Sequence, residues 1–371
     1  MEGIYWVDFA LLKKFMSDVF THIGIPENEA EICADVLITS DKRGIDSHGI
    51  GRFKPIYIDR IKAGQINPVT KIDVVREAPA TAVLDGNNGM GQVIAHKAMS
   101  MAIEKAHRYG IGMVAVRNSN HYGIAGYYSL MAVKENMIGI TGTNARPSIA
   151  PTFGVENMMG TNPLTFGIPT DEDFPFVLDC ATSVSQRGKI ETLARLGKPT
   201  PEGWVIDRSG RYMTDSEAIL KALVAGEAAL VPVGGQGEIT AGYKGYGYAA
   251  VVEILSAALQ HGAYMKMLTG FNERGEKDTY KLGHFFIAMD IASFIDPEDF
   301  KKTAGDIVRA LRHSEKAPGA ERIWTAGEKE HDAWLERKDK GAKVDEVLKN
   351  QIIELRKEFG LEGKYRFPFD E

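Results

Sequence analysis

A histidine in the middle of the chain follows an apolar run and lies among small polar residues. Residues 111–116 indicate a short buried strand, residues 117–123 (RNSNHYG) the turn that leaves it, and residues 124–133 the next helix. Such loops commonly carry the reactive groups of α/β enzymes. Because an imidazole exchanges protons near neutral pH, His121 is a candidate general acid/base. The alternative interpretation is a structural histidine that caps the following helix.

A second segment, residues 46–53 (DSHGIGRF), offers three reactive side chains after a long helical pattern. Ser47 supplies a hydroxyl, His48 a second imidazole, and Arg52 a guanidinium whose fork geometry suits a carboxylate. Glycines in and beside the segment permit a backbone that approaches a ligand closely. The three residues together favour a ligand site, whereas Arg52 alone is also compatible with a solvated surface charge.

The elements that position these residues alternate between helix and strand. Hydrophobic periodicity predicts helices at 8–23, 26–42, 53–63, 93–109, 124–133, 248–260, 297–311 and 344–359, and strands at 81–85, 111–116, 138–143, 164–168 and 176–179. Residues 144–198 indicate short strands and turns, and residues 199–214 a surface excursion. This alternation predicts an α/β fold in which both helical chain ends pack as one lobe around a β-rich middle.

Composition is typical of an ordinary globular protein. With 371 residues and 44% apolar content the chain can bury a substantial core, and its length suggests two or three lobes. The 44 basic and 50 acidic residues give a formal charge of −6, which argues against a nucleic-acid surface. Cys33 and Cys180 are too few for a disulfide framework or a four-ligand zinc site, so we expect a reducing cytoplasm and no bound metal.

No segment predicts insertion into a membrane. Residues 1–20 mix charged side chains among the apolar ones and show no signal-peptide layout. The most apolar helical stretch, residues 248–259, carries Glu253 and is too short to cross a bilayer, so we expect a buried core helix there.

The dinucleotide fingerprint G-x-G-x-x-G after a strand is absent from the sequence. One near match starts at Gly110 but leads into a strand, and another starts at Gly245 without an apolar strand before it. A Rossmann unit is therefore not expected, although the second loop can cradle phosphates beside Lys244. A serine hydrolase is a weaker hypothesis, because adjacent side chains rarely face one another and Ser47 would need a distant base such as His121.

Three further segments, taken with the two above, form an ordered set along the chain. The set comprises residues 46–49 (DSHG) with Arg52, 118–123 (NSNHYG), 160–164 (GTNPL), 179–183 (DCATS) and 243–247 (YKGYG). It resembles the type-2 malate/L-lactate dehydrogenase family from about Val7 to Arg322. Cys180 stands where that family often has methionine, and the charged tail beyond Arg322, residues 327–340 included, shows no correspondence.

That family is distinct from the Rossmann-type dehydrogenases, which explains the missing fingerprint. The resemblance implies an α/β fold with a non-Rossmann NAD(P)-binding lobe, a helical lobe built from both chain ends, and a homodimer with its sites near the subunit contact. We expect residues 1–75 and 295–371 to form the helical lobe, residues 76–143 the substrate and catalytic region, and residues 144–294 the β-rich NAD(P)-binding region. NAD is the expected cofactor, with NADP as the alternative.

The resemblance also implies a role for each matching residue. His121 and His48 are both candidates for the proton-transferring group, and we favour His121. Ser47 and His48 would orient the substrate oxygen or the nicotinamide, and Arg52 would hold the C1 carboxylate. The implied cofactor-binding residues are Asp179, Cys180, Ala181, Thr182, Ser183, Lys244, Gly245, Gly319 and Glu321, the last two in the turn 318–321.

The expected reaction moves a hydride between nicotinamide and a small 2-hydroxy or 2-oxo acid while His121 exchanges a proton. Malate carries a second carboxylate that benefits from a second cation, for which Arg146 is the candidate; the alternative is an exposed loop arginine. Malate/oxaloacetate is the expected pair. Alternatives within the family are lactate, sulfolactate, ureidoglycolate and cyclic imino acids, and those from other classes are a non-catalytic binding protein and a serine hydrolase.

Overall fold

The computed structural model describes residues 3–370 and contains both helices and strands throughout. The strands are β1 (Ile4–Val7), β2 (Asp73–Glu77), β3 (Thr81–Asp85), β4 (Ile111–Ser119), β5 (Met137–Thr143), β6 (Leu164–Ile168), β7 (Phe176–Cys180), β8 (Val205–Asp207), β9 (Ala228–Leu230), β10 (Leu282–Asp290) and β11 (Ala342–Asp345). The α-helices are α1 (Phe9–His22), α2 (Glu27–Lys42), α3 (Ile50–Arg52), α4 (Asp59–Lys62), α5 (Gly91–Tyr109), α6 (Gly126–Lys134), α7 (Arg187–Arg195), α8 (Ser216–Ala225), α9 (Gly242–Ala257), α10 (Pro297–His313), α11 (Glu328–Arg337) and α12 (Glu346–Glu358). A π-helical stretch, Phe53–Ile58, joins α3 to α4.

A seven-stranded sheet in the order β2-β3-β4-β10-β5-β6-β7 forms the centre of the protein. Its neighbours are antiparallel except for β3 and β4, which are parallel and connected through α5. The late strand β10 separates β4 from β5, and His284 on it lies opposite Val116 on one side and Thr143 on the other. The two strands that end beside the candidate site are thus held together by a strand from far along the chain.

Helices cover both faces of this sheet. Phe286 and Ala288 of β10 share a buried apolar cluster with residues of α5 and α6. Gly283 of the same strand faces α9, where a Cβ atom would lie 1.7 Å from the Ser256 carbonyl oxygen. Because successive side chains of a strand point to opposite faces, β10 is packed from both sides, as its buried pattern requires.

The two ends of the chain meet in a second hydrophobic core. β1 pairs with β11 in antiparallel register, from Ile4 opposite Asp345 to Val7 opposite Ala342. Side chains of α1, α2 and the segment 50–66 pack there against α12 and the residues that follow it. The segment that carries Ser47, His48 and Arg52 is therefore held between the beginning and the end of the chain.

Most predicted elements occur within a few residues of their expected bounds, including strands 81–85 and 164–168, which match the structure. Several elements were missed, among them the short strands β1, β2, β8 and β11. The central strand β10 was not predicted, and α7 lies in a region expected to hold only short strands and turns. α8 was not predicted, and α11 forms within the charged tail.

Within residues 3–370 no helix has the length and apolar character needed to cross a membrane.

Candidate active site

The loop after β4 holds His121 in a fixed backbone conformation. Asn118 has a positive φ of 52°, and Gly123 has a φ of 82° at a point where a Cβ atom would lie 2.4 Å from Val36. The Asn120 side-chain amide donates hydrogen bonds of 3.0 Å to the carbonyl oxygens of Asn88 and Gly89. The loop is therefore tied to the turn after β3, which leaves the imidazole little freedom to move.

His121 is flanked by a phenol and a second imidazole. Its Nδ1 lies 2.6 Å from the hydroxyl oxygen of Tyr57, which is fully buried in the π-helical stretch. The backbone N–H of Gly123 lies 3.3 Å from the same ring nitrogen. The rings of His121 and His48 are nearly parallel, with centroids 5.7 Å apart and an interplanar angle of 17°. Nε2 of His121 is left as the ring nitrogen available to a ligand.

The segment 46–52 brings its three predicted residues together. Ser47 Oγ lies 2.9 Å from His48 Nδ1, and Arg52 Nε donates to the Ser47 carbonyl oxygen at 2.6 Å. The Ser47–His48 hydrogen bond corrects the expectation that these adjacent side chains would not face one another. The reason is the irregular backbone of this segment, since the residues precede α3 and lie in no regular element. Gln186 donates to the Ser47 hydroxyl at 3.4 Å.

Two residues outside the predicted motifs, Asp41 and Arg337, hold the segment 46–52 in place through hydrogen bonds. The buried carboxylate of Asp41 accepts the Ile50 backbone N–H at 2.9 Å, and burial raises the pKa of Asp41 to about 8. Arg337, on α11, donates to the Asp41 carbonyl oxygen at 2.9 Å and also binds the Asp46 carboxylate. The charged tail thus contributes directly to the position of Ser47 and His48.

Both site histidines are uncharged at neutral pH. Burial, followed by the charge of Arg52, lowers the pKa of His48 to about 4. Burial also lowers the pKa of His121 well below its ordinary value, and the charge of His48 when that ring is protonated, followed by the charge of Arg60, lowers it further. A neutral imidazole can accept a proton, which is the state required of a general base.

Arg52 and Arg60 lie near His121, and Arg146 lies near Arg60; none of the three has an acidic partner in residues 3–370. Arg52 and Arg60 both lower the pKa of His121. Burial lowers the pKa of Arg60, and the charges of Arg146 and Arg52 lower it further, which places all three guanidinium groups in one electrostatic neighbourhood. Such a group of unbalanced cations is suited to an anionic ligand.

A cavity of about 440 Å³ opens beside His48. Four residues of the predicted cofactor segment line it, namely Asp179, Cys180, Ala181 and Ser183, and so do Gln186 and Lys189. This volume is typical of small-molecule sites.

The groups around the cavity fit a nicotinamide dinucleotide. The buried Ser185 hydroxyl has no hydrogen-bond partner among the described residues, so it can accept or donate to a ligand. Lys189 has no acidic partner in residues 3–370 and supplies a cation for a diphosphate. No cluster of three or more potential metal-ligating side chains occurs within this described range.

Two side chains of the cofactor segment are engaged by the protein itself. The Asp179 carboxylate accepts the Gly126 N–H at 2.7 Å and the Thr165 hydroxyl at 2.9 Å, and so caps the start of α6. The Thr182 hydroxyl donates to the carbonyl oxygens of Thr161 and Asn162 at 3.1 Å. Only the backbone of these two residues remains to contact a ligand.

The remaining predicted cofactor residues lie at two other places. Lys244 is exposed at the start of α9, and Gly245 packs so closely that a Cβ atom would lie 2.1 Å from the carbonyl oxygen of Val233, a residue of the cavity wall. Glu321 lines a separate cleft of about 600 Å³ formed with α10, and Gly319 lies in the turn before it. The structure therefore brings Gly245 to the cavity and places Gly319 and Glu321 in another cleft.

Known proteins are similar to this chain in sequence and in fold. A family model described as malate/L-lactate dehydrogenase matches residues 7–353. The chain belongs to the malate/L-lactate dehydrogenase family. It is accordingly an oxidoreductase, and membership implies a nicotinamide cofactor. The match confirms the resemblance stated from the five segments and carries it beyond Arg322 through α11 into α12.

Several family members are similar along nearly the whole chain. Malate dehydrogenase of Pyrococcus horikoshii is 44% identical over 352 residues, covering 95% of each chain. L-sulfolactate dehydrogenase of Methanocaldococcus jannaschii is 42% identical, covering 94% of this chain and 96% of its own. The crystal structure of malate dehydrogenase from Entamoeba histolytica superposes with a TM-score of 0.94 at 45% identity, covering 98% of this chain and 99% of that one.

Sequence reasoning missed several residues of this family member's site. The fully buried His284 bridges the Thr143 hydroxyl at 2.7 Å and the Ser119 hydroxyl at 2.8 Å, and its ring stacks on Tyr122. No sequence signal pointed to it, because β10 itself was not predicted. Arg60 lies within the predicted helix 53–63, but no motif or spacing singled it out.

Proposed function

We propose that this family member interconverts malate and oxaloacetate with NAD as the cofactor. One observation carries the proposal: a neutral His121, hydrogen-bonded to Tyr57, lies among arginines without acidic partners. A dicarboxylate fits this surplus of positive charge better than a monocarboxylate does. The relatives named malate dehydrogenase in two Pyrococcus species, each 44% identical, support the same substrate.

His121 acts as the general acid/base. In the tautomer that carries its proton on Nδ1, beside the Tyr57 oxygen, His121 presents on Nε2 the lone pair that accepts the proton of the substrate C2 hydroxyl. In the reverse direction the same nitrogen returns the proton to the developing alkoxide. Bound nicotinamide supplies the hydride acceptor and donor at C4 of its ring. Tyr57 is a positioning residue, because its hydroxyl holds the Nδ1 side of the ring and does not touch the substrate.

The acid groups of the substrate are held by arginines. Arg52, oriented by the Ser47 carbonyl oxygen, binds the C1 carboxylate and so aims the C2 hydrogen away from His121. Arg146 is exposed and contacts the distal carboxylate from the outer side. Ser47 and His48 form a hydrogen-bonded pair that orients the substrate oxygen or the nicotinamide amide.

The cavity beside His48 would hold the nicotinamide cofactor. The backbone of residues 179–183 forms one wall, and the loop before α9, with Lys244 and Gly245, continues it. Gly319 and Glu321, which lie at the separate cleft beside α10, are assigned to a more distant part of the cofactor. The cofactor region includes the antiparallel strands β6 and β7 and provides a dinucleotide site without the Rossmann arrangement.

We infer the following division of labour along the chain. Residues 1–75 and 295–371 form the helical lobe, residues 76–143 carry the substrate chemistry, and residues 144–294 carry the cofactor. The protein acts in the cytoplasm, which suits its two free cysteines.

The protein is a homodimer that uses the apolar face of α9. Tyr248, Val251 and Ile254 recur every three residues on this helix, and each is about half exposed, from 47% to 59%. Tyr264 and Met267, in the segment after α9, are exposed as well. A run of large apolar side chains on one helix face is typical of a protein interface.

The decisive test is an initial-rate panel. The purified protein is given oxaloacetate, pyruvate and a cyclic imino acid, each with NADH and with NADPH, while the nicotinamide absorbance is followed. We expect the highest kcat/KM for oxaloacetate with NADH. A folded protein that reduced none of the three would contradict the proposal and favour a binding role. A serine-reactive probe that leaves turnover intact would exclude the hydrolase alternative.

A second substrate is supported by one comparison. L-sulfolactate dehydrogenase of Methanocaldococcus jannaschii is nearly as similar as the malate dehydrogenases. Sulfolactate also carries two acid groups, so it fits the same arginines, and its 2-oxo form belongs in the panel. Lactate lacks the second acid group and is expected to be a poorer substrate.

A further inference from the structure

Arg60 follows Tyr57, the residue that positions His121, by three residues along the chain. It is the second residue of α4, and the Tyr57 hydroxyl lies 2.6 Å from His121 Nδ1. Among the charges that lower the pKa of His121, that of Arg60 has a larger effect than that of Arg52. Both guanidinium groups therefore act electrostatically at His121, where a ligand would bind.

The Arg60 guanidinium is half-buried and has no charge partner. Within residues 3–370 it makes no ion pair and donates no hydrogen bond. Burial lowers its pKa, and only the Tyr280 and Tyr57 phenols oppose that effect. A desolvated guanidinium with free N–H groups is costly to maintain unless a ligand supplies the acceptor.

The position of Arg60 is fixed by a separate loop. Its guanidinium carbon lies 4.1 Å from the centre of the Tyr280 ring. Gln65, whose backbone N–H donates to the Arg60 carbonyl oxygen, donates from its side chain to the carbonyl oxygens of Gly270 and Asp278. The loop 270–280 is thus attached to α4, and the tyrosine supports the flat face of the guanidinium while its edge stays free.

We propose that Arg60 forms the inner wall of a subsite for the distal acid group of the substrate, with Arg146 on its outer side. This inference rests on the proposed function and deepens it. The substrate class is then a 2-oxo acid with a second strongly acidic group, either a carboxylate or a sulfonate. A guanidinium edge donates two parallel hydrogen bonds and accepts both shapes, because each presents two oxygens at suitable spacing.

The test compares substrates that differ only in the distal group. kcat/KM is measured for oxaloacetate, 3-sulfopyruvate and pyruvate with the wild-type protein, Arg60→Gln, Arg60→Lys and Arg146→Gln. We expect Arg60→Gln to lose roughly 10- to 100-fold on both two-acid substrates, with a much smaller loss on pyruvate. Arg60→Lys keeps the charge and should lose less than Arg60→Gln, and Arg146→Gln should lose less than either on account of its exposure.

A further variant, Tyr280→Leu, removes the ring that supports the guanidinium and should reproduce a weaker form of the same selective loss. It keeps the inference testable if Arg60→Gln does not fold, as judged by its melting temperature. Equal losses on all three substrates would overturn the subsite, and so would a selective loss confined to Arg146→Gln. A wild-type protein inactive on all three acids would instead overturn the proposed function.

Discussion

The two arginine clusters of this protein, one beside the candidate active site and one between α10 and α11, differ in what balances their charge. In the second cluster every arginine has carboxylate partners. Arg309 lies 2.6 Å from Glu172, which also binds Arg312, while Arg322 binds the buried Glu328. These contacts join the turn before β7 to the two helices.

In the first cluster, Arg52, Arg60 and Arg146 have no such partners in the described part of the chain. A paired arginine is neutralised by the protein and contributes to cohesion, whereas an unpaired, half-buried arginine keeps its capacity for an external anion. The comparison indicates that charge balance, more than the number of cations, distinguishes a ligand site from a structural ion-pair network.

The largest expected effect concerns the base beside the unpaired cluster. His121→Asn removes the group that exchanges the proton, so we expect kcat for oxaloacetate reduction to fall roughly 100- to 10,000-fold. His48→Asn is the matched control and should affect kcat less, because His48 orients and does not transfer the proton. Nicotinamide absorbance measures both rates. Unimpaired turnover in His121→Asn would refute the mechanism.

The next effect separates the two clusters directly. Arg52→Gln should lower kcat/KM roughly 10- to 100-fold on oxaloacetate and pyruvate alike, since both carry the C1 carboxylate. Arg312→Gln, in the paired cluster, should leave kcat/KM near the wild-type value. It should lower Tm by roughly a few degrees, because the carboxylates of Glu172 and Glu328 lose a cationic partner. If the two variants exchanged these phenotypes, the distinction between the clusters would be wrong.

A third measurement uses the pH dependence of reduction. Reduction consumes the protonated form of His121, whose pKa is lowered by burial and by neighbouring cations, so kcat/KM should fall as pH rises through that lowered pKa. In Arg60→Gln one of those cations is absent, the pKa of His121 rises, and the falling limb should move to higher pH. Pyruvate is the substrate to use, because it lacks the distal group. An unchanged limb would show that Arg60 does not act on His121.

The smallest expected effect is on the free energy of unfolding. It tests whether the buried His284, near the first cluster, stays uncharged in the folded protein. Burial lowers the pKa of His284 to about 3, and the unfolded chain binds its proton near pH 6.5. The contribution of the neutral His284 to the free energy of unfolding is complete above pH 6.5. It is lost as pH falls towards 3, by about 1.4 kcal/mol per pH unit. His284→Gln should therefore show a shallower fall of Tm with acidification than the wild type.

The buried Asp41 acts in the opposite direction. Its pKa is raised to about 8, so its contribution weakens as pH rises from the ordinary value of 3.8 towards 8. Because both proteins contain Asp41, the difference between their slopes of Tm against pH reports the titration of His284 alone. Parallel Tm profiles for the two proteins would show that His284 titrates alike in the folded and unfolded states.

Sequence reasoning located the local elements well and the long-range ones poorly. We predicted the strand that precedes His121 and the helices that flank Ser47 and His48. Their signals in the sequence are periodic and short-range. The family was also recognised from ordered motifs and is confirmed by the match over residues 7–353. The site roles given to these residues remain predictions.

The missed features depend on contacts between distant segments. β10 is hydrophobic without clear alternation, since helices cover both of its faces, and nothing local marks it as the strand between β4 and β5. Arg337 is 296 residues away from Asp41, which it contacts, so no spacing rule reveals it. The Ser47–His48 hydrogen bond likewise depends on a backbone shape that composition does not specify.

The place of β10 in the sheet has a consequence for protein synthesis. The ribosome completes β4 and β5 long before it reaches residue 282, at roughly 5–20 residues per second. Until then the nascent chain has two apolar strands that lack their common neighbour, and such open edges attract other chains. We expect chaperones to bind the growing polypeptide in this interval and to release it once β10 has emerged. Ribosome-arrested chains ending before and after that strand would differ in protease resistance.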